Sequence, residues 1–160
     1  MTNNRLAQLL AVLLPVGLLG GALISEHVFG LYPCEMCIWQ RWPLYVAVAI
    51  AGGAVVLNSK VSRFLLVGAA LAILISGLIG GFHAGVEYGW WEGITSCATP
   101  IDTSGDMLDS IMNAPLVRCD VAPWTLFGVS LAGFNFLISV GGSLFILWLM
   151  IRDRKERDNG

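Results

Sequence analysis

The sequence has few charged side chains. Only 12% of its 160 residues are Asp, Glu, Lys or Arg, and the formal net charge is -2. This balance excludes the strongly basic surface by which proteins bind nucleic acid. In contrast, 56% of the residues are hydrophobic, and the mean hydropathy of +0.75 exceeds that of ordinary soluble domains. We therefore expect a membrane protein that folds as one domain, residues 1–160.

The chain also lacks the motifs of several cofactor classes. It contains no Gly-x-Gly-x-x-Gly segment at the start of a helix, as a flavin or dinucleotide site would need. It contains no Cys-x-x-Cys-His segment, which attaches haem. Any redox partner within the membrane should therefore be a lipid-soluble molecule that binds without these motifs.

Four apolar segments are long enough to cross a bilayer core of about 30 Å. They comprise residues 6–25, 38–57, 64–82 and 125–151. The first follows Arg5 as a signal peptide would, but it is long and ends without a small-x-small cleavage site, so we expect it to remain as a helix. The expected fold is all-α, a four-helix transmembrane bundle with outer loops at residues 26–37 and 87–124.

The basic residues predict the orientation of this bundle. If four helices alternate across the membrane, seven of the nine Lys and Arg residues fall on one side, and such residues collect in short cytoplasmic loops. Both termini and the connection at residues 58–62 are then cytoplasmic. The four cysteines, at positions 34, 37, 97 and 119, lie on the outer side, where a bacterial cell is oxidising and disulfides persist.

The second outer loop has a helical pattern of its own. Residues 103–106, Thr-Ser-Gly-Asp, resemble a capping box. As a helix, residues 107–113 would have one apolar face and one polar face. We expect a short amphipathic helix that lies on the membrane surface or packs against the other outer loop. It would separate Cys97 from Cys119, so its position would set the distance between their sulfurs.

A Cys-x-x-Cys motif, Cys34-Glu-Met-Cys37, follows Pro33 and directly precedes the second apolar segment. Pro33 ends any helix that arrives from upstream, so a new helix should begin here with Cys37 near its N-terminus. The unpaired N–H groups and the helix dipole at that end favour a thiolate. Arg41 lies one turn further on the same face, where its guanidinium can reach the sulfur or a ligand beside it.

Other polar residues lie within the apolar segments. His83 ends the third segment at about the depth of Cys37 and could donate to an oxygen of a bound cofactor; the alternative is a local hydrogen bond at the helix end. Glu87, one turn later, is interpreted as a solvated helix end. Asn135 predicts an interhelical hydrogen bond, and the recurring small residues of the last two segments predict close helix packing.

Together these residues suit the transfer of electron pairs by thiol–disulfide exchange. Such exchange needs a thiolate, a second disulfide and a final acceptor, and a membrane quinone needs only a slot between helices. The combined pattern resembles the DsbB family of bacterial inner-membrane disulfide-generating proteins over nearly the whole chain. One departure is Gln40, where some relatives carry an acid.

The resemblance implies a thiol:quinone oxidoreductase with ubiquinone or menaquinone as acceptor. The catalytic residues it implies are Cys34, Cys37, Cys97 and Cys119. Reduced DsbA, a periplasmic thioredoxin-fold dithiol oxidase, would attack a Cys97–Cys119 disulfide at Cys97, and Cys119 would exchange with Cys34. The quinone would bind beside Cys37, Arg41 and His83. A dedicated sulfotransferase-oxidising partner is an alternative donor.

Three other interpretations are weighed against this one. A structural membrane protein would use its four cysteines only to staple its outer loops. A zinc site is disfavoured because Cys97 and Cys119 do not form a second close pair, so no metal is expected. An enzyme similar to vitamin K epoxide reductase also links loop cysteines to a quinone, but there the close pair follows the loop pair, whereas here it comes first.

Overall fold

The computed structural model describes residues 3–57, 59–94 and 117–158. These residues form four helices: α1 (Asn3–His27), α2 (Glu35–Val56), α3 (Ser59–Glu87) and α4 (Leu131–Asp158). A short antiparallel hairpin, β1 (Thr125–Leu126) with β2 (Val129–Ser130), precedes α4. The predicted helical bundle is confirmed, and the hairpin is an addition to it.

Three of the four helices are long and apolar enough to cross a membrane by length and composition. They are Asn3–His27, Val61–Glu87 and Leu131–Glu156. Helix α2 is not among these three, and its first half carries Gln40 and Arg41 within the apolar run. The crossing predicted for residues 38–57 therefore stays a prediction.

Large apolar side chains cover the outside of the bundle. Leu13, Phe64 and Ile151 are 62%, 82% and 69% exposed, and many other leucines, valines and isoleucines are also exposed. A soluble monomer rarely exposes so much contiguous apolar surface. The outer faces of these helices therefore suit lipid.

The helices pack as the corners of a square. Helix α3 packs mainly against α2 and α4, and α1 packs against the same two helices from the other side. Small residues allow the close contacts: a Cβ added at Gly142 would lie 2.4 Å from the Leu14 Cδ1, and one at Gly77 would lie 2.9 Å from the Ser139 Cβ. The predicted close packing is confirmed at these two positions.

The predicted start of the fourth helix, at residue 125, is wrong. Helix α4 begins at Leu131, and residues 125–130 form the hairpin. Phe127 and Gly128 have φ values of 51° and 79°, and positive φ at both central residues is the geometry of a type I′ turn. The Ser130 hydroxyl then caps α4 by accepting from the Gly133 N–H at 3.1 Å. Apolar composition alone does not separate such a hairpin from the first turns of a helix.

The connection between α1 and α2 is shorter than predicted, because α1 continues to His27 and α2 begins at Glu35. The predicted loop helix at residues 103–113 and Cys97 lie outside the described residues.

Candidate functional site

Two cysteines form the start of α2. Cys34 is the N-cap residue, and its sulfur accepts a hydrogen bond from the Cys37 backbone N–H at 3.2 Å. The two sulfurs lie 2.9 Å apart, with the Cys34 thiol donating to the Cys37 sulfur. Cys37 is the proton acceptor of the pair.

This hydrogen bond divides the acidity of the pair. Acceptance from Cys34 lowers the pKa of Cys37 from its ordinary value, although burial opposes the shift. Donation to Cys37, helped by burial, raises the pKa of Cys34 to about 12. Both residues precede the apolar segment at residues 38–57. The predicted position of Cys37 near a helix N-terminus is confirmed, and its neighbour Cys34 adds the strongest single contribution to the thiolate.

Cys119 packs against this pair. It is 7% exposed and belongs to one buried cluster with Cys34, Met36 and Val86, against which Cys37 also packs. Of the four cysteines identified in the sequence, the structure thus brings three together at one end of the bundle.

Two cavities meet at Cys37. The first, of about 240 Å³, lies between α1, α2 and the start of α4, and its lining includes Cys37, Gln40, Arg41 and Asn135 among apolar side chains. The second, of about 310 Å³, is lined by Cys34, Cys37, His83 and Glu87 together with residues of the 117–123 segment. Cys37 therefore lines both cavities.

Arg41 lines the first cavity together with Cys37, and its predicted contact with the sulfur or with a ligand beside it stays a prediction. Its guanidinium forms an ion pair with Glu26 of α1, and its Nη2 lies 3.5 Å from the Ala22 carbonyl oxygen. The two charged side chains are only 14% and 25% exposed. Sequence reasoning missed Glu26, because the pair depends on how α1 packs against α2.

His83 is 1% exposed and lies against Cys34. Its Nε2 is 3.5 Å from the Cys34 sulfur, and its Nδ1 is 2.8 Å from the Gln40 Nε2. It lines the second cavity, beside the cysteine pair. Its predicted contact with a cofactor oxygen stays a prediction.

The interpretation of Glu87 as a solvated helix end is wrong. Its side chain is 2% exposed, and its Oε1 lies 3.7 Å from the His83 Nε2. Its Oε2 is buried without a hydrogen-bond partner among the described residues. Because α3 continues one turn past His83, Glu87 lies on the same face, and it lines the second cavity together with residues of the 117–123 segment. The sequence pattern did not predict that this segment lies close to α3.

A buried polar network continues from His83 across three helices. Gln40 of α2, Ser76 of α3 and Asn135 of α4 are linked by hydrogen bonds of 2.8 to 3.2 Å. The Ser139 hydroxyl donates to the Asn135 Oδ1 at 2.8 Å. The predicted interhelical role of Asn135 is confirmed, whereas the part played by Gln40 was not anticipated.

Ligand atoms of Cys34, Cys37 and His83 lie within 4.8 Å of one another. A zinc ion with Zn–S bonds of about 2.3 Å in tetrahedral geometry holds two sulfurs about 3.8 Å apart. The observed separation of 2.9 Å is too short for that arrangement. The geometry suits transfer of a proton between the two sulfurs, or formation of a disulfide between them, better than it suits binding of zinc.

Comparison with known proteins agrees with this site. The family profile described as "Disulfide bond formation protein DsbB" matches residues 4–149. The chain belongs to the DsbB family. No solved structure matches it significantly.

Curated DsbB-family relatives match along most of their own length. "Disulfide bond formation protein B" of Polaromonas sp. (strain JS666) is 33% identical over 89% of this chain and 88% of its own. The Acinetobacter baumannii protein of the same name is 30% identical over 94% and 92%. DsbB membership and the three apolar helices together indicate a multi-pass membrane protein.

Proposed function

We propose that this chain is a thiol:quinone oxidoreductase of the bacterial inner membrane. It reoxidises a DsbA-like periplasmic dithiol oxidase by disulfide exchange and passes the electron pair to ubiquinone or menaquinone. The observation that carries the proposal is that Cys37 lines both cavities. The names of the DsbB relatives, which refer to disulfide bond formation, support the same chemistry.

Disulfide exchange would take place on the side of the second cavity. A thiolate of the reduced partner attacks the Cys97–Cys119 disulfide at Cys97, and the electron pair of the broken S–S bond stays on Cys119. The partner's second thiol then displaces Cys97, so the partner leaves oxidised. The burial of Cys119 in one cluster with Cys34 supports a subsequent attack by Cys119 on an oxidised Cys34–Cys37 pair.

That attack would occur at Cys34 and release Cys37 as the leaving thiolate. A thiol of lower pKa leaves faster in disulfide exchange. The hydrogen bond from Cys34 lowers the pKa of Cys37 in the dithiol form, and the N-terminal position of Cys37 in α2 stabilises negative charge in either form. The chain therefore collects negative charge on the sulfur that also faces the first cavity.

The first cavity fits a quinone head group. Its volume of about 240 Å³ is below the range of about 300 to 1,000 Å³ that holds drug-sized ligands, so it suits one ring rather than a larger cofactor. Arg41 would provide a polar contact to a ring oxygen, and most of the other lining residues are apolar. A bound quinone supplies an acceptor for two electrons and two protons, and the residues of the slot hold it beside Cys37.

The orientation proposed from the basic residues is supported by contacts at the opposite end of the bundle. The Asn3 Nδ2 donates to Glu156 at 2.9 Å, and Arg63 pairs with Asp153 at 3.5 Å. The start of α1, the start of α3 and the end of α4 therefore lie together, at the end of the bundle opposite Cys34 and Cys37. We place this end in the cytoplasm, the cysteines at the periplasmic side, and α2 as the fourth crossing.

A reconstituted assay tests the proposal. The purified full-length chain is mixed with a reduced DsbA-like protein and with ubiquinone or menaquinone in turn, and thiol loss and quinone absorbance are followed together. We expect one quinone to be reduced for each dithiol oxidised. Donor oxidation without quinone reduction, or no oxidation with either quinone, would contradict the proposal.

A further inference from the structure

We infer that Gln40 and Asn135 hold His83 in the neutral tautomer that carries its proton on Nε2, so that the ring presents a fixed N–H group to the Cys34 sulfur. Gln40 and Asn135 are then positioning residues that act through His83. The importance of this tautomer for catalysis rests on the proposed function, but the position of the proton can be measured without it.

The orientation of the Asn135 amide is fixed first. Its Nδ2 lies 3.2 Å from the Ser76 carbonyl oxygen, which can only accept, so the nitrogen must face it. Its Oδ1 accepts from the Ser139 hydroxyl at 2.8 Å. A flipped amide would place an oxygen against the carbonyl oxygen, so Asn135 has one orientation.

Asn135 then fixes the Gln40 amide. The Asn135 Nδ2 donates to the Gln40 Oε1 at 2.8 Å, and the Gln40 Nε2 donates to the Met36 carbonyl oxygen at 3.2 Å. Both contacts would become unfavourable if the Gln40 amide turned over. The Gln40 Nε2 therefore faces His83.

The Gln40 Nε2 lies 2.8 Å from the His83 Nδ1. Because an amide nitrogen donates, this ring nitrogen must accept and carries no proton. Protonation of Nδ1 would bring two donors together between side chains that are 6% and 1% exposed. The network therefore disfavours the other neutral tautomer, and it opposes the imidazolium form from the Nδ1 side of the ring, whereas Cys34 and Glu87 favour that form from the Nε2 side.

The remaining ring proton, on Nε2, faces the cysteine pair. Cys34 Sγ lies 3.5 Å from Nε2, and the Glu87 Oε1 lies 3.7 Å away. These are the titratable groups that face the ring from the start of α2 and from α3, and the Cys119 backbone also lies beside the ring. His83 can thus stabilise negative charge on the Cys34 sulfur by donation, and it does not act as a base there.

Nuclear magnetic resonance can locate this proton, since the chain contains only two histidines. His27 is an internal control of opposite tautomer: its Nδ1 lies 3.0 Å from the Leu23 carbonyl oxygen and must donate. The full-length protein is labelled with ¹⁵N-histidine and held in detergent micelles at about pH 8. This pH is above the titration range of an ordinary histidine. Ring ¹⁵N–¹H correlation spectra then show which nitrogen carries the proton.

For wild-type His83 we expect an unprotonated Nδ1 with one strong cross-peak, to Hε1, and a protonated Nε2 with cross-peaks to both ring protons. The cross-peaks identify each nitrogen and its ¹⁵N chemical shift reports the proton, so His27, assigned by its loss in His27→Gln, should have a protonated Nδ1 and an unprotonated Nε2. A His83 that carries its proton on Nδ1, or on both nitrogens, would overturn the inference.

Two variants test whether the network causes the tautomer. Gln40→Met removes the donor at similar length, and Asn135→Leu allows the Gln40 amide to rotate; each should replace the single tautomer with a mixture. Ser143→Ala is the matched control, because that buried serine donates to the Val140 carbonyl of its own helix, and it should leave the spectrum unchanged. A pure Nε2–H tautomer in both network variants would show that Gln40 and Asn135 do not impose it.

The assay with quinone separates this inference from the proposed function. In Gln40→Met we expect kcat to fall by up to about tenfold, as for loss of one buried hydrogen bond between neutral groups. If wild type shows the Nε2–H tautomer but reduces no quinone, the inference stands and the proposed function fails. If turnover is normal and His83 is an imidazolium, the proposed function stands and the inference fails.

Discussion

The two ends of the bundle are held together in different ways. At the end near the termini, the alanine region consists of the buried residues Ala7, Ala11, Ala47, Ala51 and Ala54 with larger apolar neighbours. At the other end, the sulfur region consists of Cys34, Cys37, Gln40, His83 and Glu87. In the first region the helices fit by shape, because alanine has neither a flexible side chain nor a polar group. In the second, each contact depends on which atom donates and which accepts.

This difference predicts two kinds of sensitivity. A change of volume in the alanine region should reduce stability and leave the chemistry intact. A change of hydrogen-bond polarity in the sulfur region should alter the chemistry even where the volume is kept, because buried polar groups have few alternative partners. The following variants test this distinction, from the largest expected effect to the smallest.

Cys37→Ser should abolish quinone-dependent oxidation, because a serine hydroxyl cannot form a disulfide with Cys34. Oxidation of the DsbA-like donor and quinone absorbance are measured together, with Ser143→Ala as the control. The loop cysteines of Cys37→Ser should still trap the donor as a mixed disulfide. Full turnover by Cys37→Ser would remove the assigned acceptor step and, with it, the distinction between the two regions.

The two cysteines of the motif should react with iodoacetamide at very different rates. In a background with Cys97→Ser and Cys119→Ser, Cys37 should react well below its ordinary pKa of 9.0, because that pKa is lowered, and the reaction should slow as the pH falls through the lowered value. Cys34, with its pKa raised to about 12, should stay a thiol at about pH 8 and react at least roughly a hundredfold more slowly. Mass spectrometry of the alkylated peptides measures both rates.

Equal rates, or faster alkylation of Cys34, would reverse the assignment of donor and acceptor within the pair. Alkylation of the chain after unfolding is the control, since there the two thiols should react alike.

Arg41→Ala should raise the quinone KM about tenfold and leave the donor KM unchanged, because a charged hydrogen-bond donor contributes about 1.5 to 3 kcal/mol. Arg41→Lys keeps the charge but loses the planar fork, so its quinone KM should lie between those of wild type and Arg41→Ala. An unchanged quinone KM in Arg41→Ala would place the quinone outside the first cavity.

Ala51→Leu should destabilise the bundle by about 1 to 3 kcal/mol, because extra methyl groups overpack a tight helix contact. Thermal unfolding in detergent measures the effect, and activity well below the transition should equal that of wild type. Val55→Leu, at a position 57% exposed on the same helix, is the control and should unfold as wild type does. Reduced activity without reduced stability in Ala51→Leu would contradict the comparison.

Particular residues show how far the sequence could be interpreted. Pro33 and the apolar run after Cys37 predicted a helix start, and α2 begins at Glu35. The length and apolar character of α1, α3 and α4 followed from composition. Glu26, Gln40 and Glu87 were not recognised, because their roles arise from contacts between helices that no local pattern encodes.

The sequence by itself determined the apolar helices, the position of Cys37 near a helix N-terminus and membership of the DsbB family. These depend on local composition and spacing, which act within a few residues. Only the tertiary structure decided that Arg41 pairs with Glu26, that Cys34 meets His83 and Cys119, and that Glu87 is buried. These contacts join residues far apart in the chain, so their geometry is set by how the four helices pack. The charge of a side chain and the position of its proton depend on the partners that this packing places beside it.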